Sequence, residues 1–284
     1  MFKRSTMIPL VLGATVMFAA AWPVSAFAAT SPRLGTALNF TVLGGSTITN
    51  TGPTVVTGEL GLHPGTALTG FPPGVVTGTK HLTDGAALQA KDDLVTAYSD
   101  AANAPTTANL TGENLGGKHL NPGVYRFSSS AQLTGSLTLS GRGIFIFKIG
   151  STLTTASSAV VRLTNGAQAC QVFWQVGSSA TLGTATRFQG NLMALTSITL
   201  TTGANVPAGR VLARNGAVTL HSNDIARPAG TCLTAAVSTP GTGTPETGAV
   251  GSILPGVGLA MVFGGVATVA IGVRRARPRR GASR

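Results

Sequence analysis

Four stretches in the second half of the chain decide how it is read: IFIFKIGSTLTTASS (144–158), VFWQVGSSATLGTATR (172–187), NLMALTSITLTTGAN (191–205) and RVLARNGAVTLHSND (210–224). Each joins an apolar run to a threonine-bearing run through a corner of small residues. The dipeptide Thr-Leu recurs in all four, at Thr152-Leu153, Thr181-Leu182, Thr199-Leu200 and Thr219-Leu220. Self-similarity at intervals of this kind marks a solenoid, in which each copy is one coil stacked on its neighbour. The first interval is longer because VVRLTNGAQACQ (160–171) is inserted.

Side chains alternate along a strand, so the four leucines pointing into a core leave the threonine before each pointing out. The position after each leucine also points out, and holds Thr154, Gly183, Thr201 and His221. Stacked coils lie about 4.8 Å apart, and outward residues on one strand about 6.7 Å apart. The expected product is a flat lattice of methyl and hydroxyl groups.

The runs IFIF, VFW and NLMAL are apolar on both faces and need a cover as well as a core. The stretch DGAALQAKDDLVTAYSDAA (84–102) supplies one, with Leu88, Lys91, Val95, Tyr98 and Ala102 at helical spacing and Pro105 beyond its end. Thr83 or Asp84 can cap its start. Thr47-Ile48-Thr49, Val55-Val56-Thr57-Gly58 and Val75-Val76-Thr77-Gly78 before the helix, and GSLTLS (135–140) after it, are partial versions of the coil pattern. The first coils are therefore expected to be separated from the later ones in sequence and to stack with them in space.

The 284 residues include 38 Gly, only 10% charged residues and 5% aromatics, as suits short strands joined by tight turns. The net charge of +12 is concentrated at the ends. Lys3 and Arg4 open the chain, and Arg274, Arg275, Arg277, Arg279, Arg280 and Arg284 close it, which leaves 12 Lys+Arg against 8 Asp+Glu elsewhere. No basic patch remains to suggest nucleic acid as a partner. Residues 1–28 carry a positive start, an apolar core and Ala26-Phe27-Ala28, the pattern of a secretion signal. In an exported chain the two cysteines, Cys170 and Cys232, suggest one disulfide, with two buried thiols the alternative.

The domain is expected over 30–233, followed by a Ser/Thr/Pro/Gly linker over 234–248. An uncharged apolar run over 249–273 is long enough to span a bilayer, and the basic tail 274–284 would stay in the cytoplasm. The order of Thr244-Pro245-Glu246-Thr247-Gly248, apolar span and arginines resembles the cell-wall sorting signal cut by sortases, whose motif is Leu-Pro-x-Thr-Gly. Pro245, Glu246, Thr247 and Gly248 match it, and Thr244 stands where that motif has leucine. The resemblance implies sortase and peptidoglycan as partners. A plain membrane anchor through 249–273 is the alternative, and either would place the domain outside the cell.

LGTALNFTVLGGSTITNTGPTVVTGELGLHPG (34–65), the single helix, LNPGVYRF (120–127), ACQVFWQVGSSATLGT (169–184) and GRVLARNGAVTL (209–220) together resemble the microbial ice-binding-protein family of irregular β-solenoids. The resemblance covers about 34–232. It implies a mainly β fold: a discontinuous solenoid of triangular cross-section, a long helix alongside, and a flat face that adsorbs to ice. Some members carry Thr-(Ala/Gly)-x-(Thr/Asn). Thr202-Gly203-Ala204-Asn205 fits, Thr155-Ala156-Ser157-Ser158 nearly fits, and Thr184-Ala185-Thr186-Arg187 departs at its last position. The ice-contacting set expected on these grounds is Thr152, Thr154, Thr181, Thr199, Thr201 and Thr219, with Thr155, Thr184 and Thr202 from the motif copies.

Catalysis has little to stand on. From Ile144 to Asp224 the only acidic residue is Asp224, whereas a polysaccharide-cleaving solenoid needs paired carboxylates or calcium-binding acids. His63, His81, His119 and His221 are scattered, without metal-ligand or nucleophile spacing. No enzyme activity, metal or cofactor is expected. The expected function is an exported, surface-held protein that binds ice crystals; the alternative is a surface adhesin for glycan or protein without ice activity.

Overall fold

The computed structural model describes residues 29–228. The strands stack into three parallel ladders, two of them joined into one fifteen-stranded sheet through the long strands Arg187–Ala194 and Asn205–Ala213, so the solenoid is three-sided. One ladder is built from apolar strands, among them Gly123–Phe127, Phe145–Ile149 and Val172–Val176, all parallel and in register. A second, of seven strands, carries the threonines. The third includes Ser136–Ser140, Val160–Thr164, Asp224–Ala226 and Val55–Thr57.

The apolar strands serve two cores at once. Tyr125, Phe147 and Trp174 point inward, while their neighbours Val124, Ile146 and Phe173 point outward into a second cluster under the helix. Register places Tyr125 beside Phe147 and Phe147 beside Trp174, so their rings stack along the solenoid axis at 5.5 and 3.9 Å. Full burial of an aromatic or aliphatic side chain contributes roughly 1.5–3 kcal/mol, so each coil adds its own increment of core.

The helix runs Gly85–Asn103, and the Asp84 carboxylate caps it by accepting from the Ala87 backbone N–H at 2.9 Å. Its buried stripe is Ala87, Ala90, Lys91, Leu94, Ala97, Tyr98 and Ala101. This corrects the expected stripe at three places: Leu88 and Val95 are exposed, and Ala102 is half-buried beside the buried Ala101. Ala87, Ala90, Ala97 and Ala101 on the contact face let the helix approach the sheet closely, and Leu88 and Val95 turn outward. Lys91 and Tyr98 belong to both stripes. The Lys91 ammonium donates to the Ala213 and Arg214 carbonyls. Burial is the main cause that lowers its pKa to about 8, with the Arg214 charge adding to the effect.

The order of the threonine strands explains why the helix is long. In space they run Ala131–Leu133, Leu153–Thr155, Ala180–Leu182, Ile198–Leu200, Val218–His221, Thr47–Thr51, Ala67–Thr69. The earliest coils in sequence thus stack beyond the last. To reach the far end, the chain must travel the length of the solenoid before winding back. Nineteen helical residues cover about 28 Å, and six inter-strand steps cover about 29 Å.

Among the described residues no helix is long and apolar enough to cross a membrane. The expected secretion signal (1–28), linker and sorting motif (234–248), apolar span (249–273) and basic tail (274–284) lie outside the described residues, as does Cys232, the expected partner of Cys170.

Candidate ice-contacting face

The seven-stranded sheet sets threonines in one continuous file. Thr154 pairs with Thr181, Thr181 with Thr199, Thr199 with Thr219, Thr219 with Thr49, and Thr49 with Thr69. Gln132 completes the file beside Thr154. Alternation turns each of these outward, while Leu153, Ala180, Ile198, Val218 and Ile48 lie buried beneath. None of the six pairings in this sheet contains a register shift. The other ladders do contain shifts, at Phe40/Val42 and at Arg187/Gln189.

A second file, two residues earlier on each strand, runs parallel to the first and includes Ser130, Thr152, Ser179, Ser197 and Thr47. Within it Thr152 Oγ1 donates to Ser130 Oγ at 2.8 Å. Hydroxyls hydrogen-bonded to one another have fewer rotamers left, and the threonine β-branch already stiffens χ1. The seven strands hold no Lys, Arg, Asp or Glu. The third face, by contrast, exposes Arg162, Arg187 and Asp224.

Of the residues expected from sequence, Thr154, Thr181, Thr199 and Thr219 stand in the central file, and Thr152 in the file beside it. Thr201 lies at the sheet's edge toward the third face, where its Oγ1 donates to the Leu182 carbonyl at 2.9 Å and lies 3.4 Å from Thr184 Oγ1. Thr184 and Thr202 are exposed at the corner where the chain turns off the sheet.

Thr155 is a correction, because it points inward and is 3% exposed. Its Oγ1 lies 2.8 Å from Thr186 Oγ1 and accepts from the Gly183 N–H at 2.8 Å. The cause is an alignment two residues out of register in the first copy. Thr181 pairs with Thr154, not Thr152, so Thr155 takes the interior place that Leu182 and Leu200 hold in the next coils. The motif copy slips with it. The corner residues in the left-handed region are Ser158 (φ 58°), Ala185 (φ 57°) and Gly203 (φ 66°), which align Ser157-Ser158-Ala159-Val160 with the other two copies.

Gly183, a gap in the expected outward pattern, has a packing reason. A Cβ there would lie 2.5 Å from the Thr155 carbonyl oxygen, so no threonine fits.

Sequence reasoning left Thr49, Thr69, Thr51 and Gln132 out of the site. A different key finds Thr49 and Thr69. An apolar residue followed by threonine marks six of the seven strands: Ile48-Thr49, Leu68-Thr69, Leu153-Thr154, Ala180-Thr181, Ile198-Thr199 and Val218-Thr219. Among the described residues no group of three or more His, Cys, Asp or Glu side chains comes together as a metal site would.

These features define a class: a three-sided parallel β-solenoid braced by one helix, with a single uncharged sheet of outward threonines. The sequence profile of the Ice-binding-like family matches residues 42–226, and the chain belongs to that family. It is 53% identical over 202 residues to the ice-binding protein of Nostoc sp. (strain HG1), covering 70% of this chain and 75% of that one. With the ice-binding protein of Flavobacterium frigoris (strain PS1) it shares 34% identity over 212 residues, 69% of this chain and 76% of that one. Among solved structures, the crystal structure of an ice-binding protein from an Antarctic biological consortium matches with a TM-score of 0.68 at 44% identity, over 78% of this chain and 96% of that one. The ice-binding protein of the Antarctic ascomycete Antarctomyces psychrotrophicus matches with a TM-score of 0.68 at 39% identity, over 71% of this chain and all of that one.

Proposed function

We propose that this protein is exported and binds ice through the seven-stranded threonine sheet. The observation that carries the reading is the unbroken threonine file from Thr154 to Thr69, set on a sheet whose strands hold no Lys, Arg, Asp or Glu. Membership of the Ice-binding-like family and relatives named as ice-binding proteins support it.

Ice offers neither a charge to pair nor a pocket to fill, so adsorption rests on area, rigidity and repetition. Each hydroxyl anchors a water, and each γ-methyl limits the alternatives open to it. Stiff χ1 angles mean that little rotamer entropy is lost on docking. A Lys or Glu in the same place would hold its own hydration shell and lose more freedom when ordered. Waters held in register over the file then join the growing lattice, and growth between adsorbed molecules is pinned.

The sequence beyond the domain supports display at the cell surface. Residues 249–273 would hold the protein in the membrane, and Pro245-Glu246-Thr247-Gly248 would offer sortase a route to peptidoglycan. Ice-affinity partitioning tests the function: the full chain is mixed with slowly grown polycrystalline ice, and the protein is measured in the ice and in the remaining liquid. Enrichment in the ice supports the proposal. Exclusion from ice together with retention on cell-wall glycan would support an adhesin instead.

A further inference from the structure

His221 is the one ionisable side chain on the seven strands of the threonine sheet. It is exposed on the outward side, two residues after Thr219, and pairs in register with Thr51. Its Nδ1 lies 2.9 Å from Thr202 Oγ1, and its backbone N–H donates to Asn223 Oδ1. The elements packed beside it offer no charge. Strand Thr47–Thr51 has no ionisable residue, nor does strand Ile198–Leu200 with the Thr201, Thr202 and Gly203 turn that follows it. The next acid on its own segment is Asp224, whose strand belongs to the third face and pairs with Val55. Among the described residues no carboxylate forms an ion pair with the imidazole.

Two consequences follow from this placement. A hydroxyl can donate or accept, so the contact with Thr202 survives protonation of the ring, and the charge stays on the face. An ion brought against an ice lattice loses its mobile hydration, and no group on this sheet replaces it.

We infer that His221 sets the strength of adsorption through its charge: the neutral ring lets the sheet bed against ice, and the protonated ring holds its edge away. This rests on the ice-binding reading above. Threonine does not change charge with pH, whereas histidine as a residue type does, so pH can act on the ring without disturbing the threonines.

The test is ice partitioning of the full chain at about pH 5 and about pH 8 for wild type, His221→Gln and His221→Lys. Wild type is expected to be retained on the order of tenfold less at the lower pH. His221→Gln should hold the higher level at both, and His221→Lys the lower level at both. Equal retention of wild type at the two pH values would overturn the inference while leaving ice binding intact. So would a pH dependence that persists in His221→Gln. Failure of all three proteins to enter ice at either pH would overturn the ice-binding reading and this inference with it.

Discussion

Thr49 and Thr219 are register partners on adjacent parallel strands, with hydroxyl oxygens 3.5 Å apart, although 170 residues separate them in the chain. The contact joins the coils before the helix to those after it and makes one sheet of two sequence segments. It follows that Thr49 should matter to ice adsorption as much as Thr199 does. Thr49→Tyr places a bulky ring in the central file and should reduce ice recrystallisation inhibition to a similar degree as Thr199→Tyr, with unchanged circular dichroism. Full inhibition by folded Thr49→Tyr would confine the working face to the strands after the helix.

Thr155 should separate stability from function. Thr155→Val keeps the shape but leaves the Gly183 N–H without its acceptor and Thr186 without one of its partners. An unsatisfied buried polar group costs about 1–3 kcal/mol, so denaturant unfolding should show a loss of that order. Ice retention of the folded fraction should equal wild type. Thr154→Val, on the outer side of the same strand, should show the reverse, with stability nearly unchanged and retention reduced.

The contrast between Thr154 and Thr155 also measures what the sequence could disclose. Period two identified the outward and inward sides of the strands, and the two-sided apolar runs called for a helix. A slip of one residue would have exchanged the faces, but a slip of two preserves the alternation, so the pattern could not detect the misplacement of Thr152 against Thr181. The Thr-Leu key also passed over Ile48-Thr49 and Leu68-Thr69, where threonine follows the interior residue and no leucine comes next. Their place beside Val218–His221 depends on a connection through the whole helix, which no local pattern encodes. Leu88 and Val95 misled for a different reason: helical spacing fits two neighbouring stripes, and close packing selected the one rich in alanine.

Lys91 gives the fold a predicted pH response. Its folded pKa of about 8 lies below the ordinary 10.5, chiefly because burial disfavours the ammonium. Between those values the unfolded chain binds more protons than the folded one, so the stability contributed at this site rises with pH across that window. The Tm of wild type minus that of Lys91→Met should therefore increase from pH 8 toward pH 10.5. A difference that is flat or falls over that range would show that the ammonium is held charged by the Ala213 and Arg214 carbonyls.

The central claim is that ice meets this protein on the threonine sheet and on no other side. Thermal hysteresis measures it most directly, comparing wild type, Thr181→Tyr/Thr199→Tyr in the middle of that sheet, and Thr138→Tyr/Arg162→Tyr, register partners on the third face. The account predicts that hysteresis is lost in the first pair and kept at the wild-type level in the second. Wild-type hysteresis in a correctly folded Thr181→Tyr/Thr199→Tyr protein would contradict it.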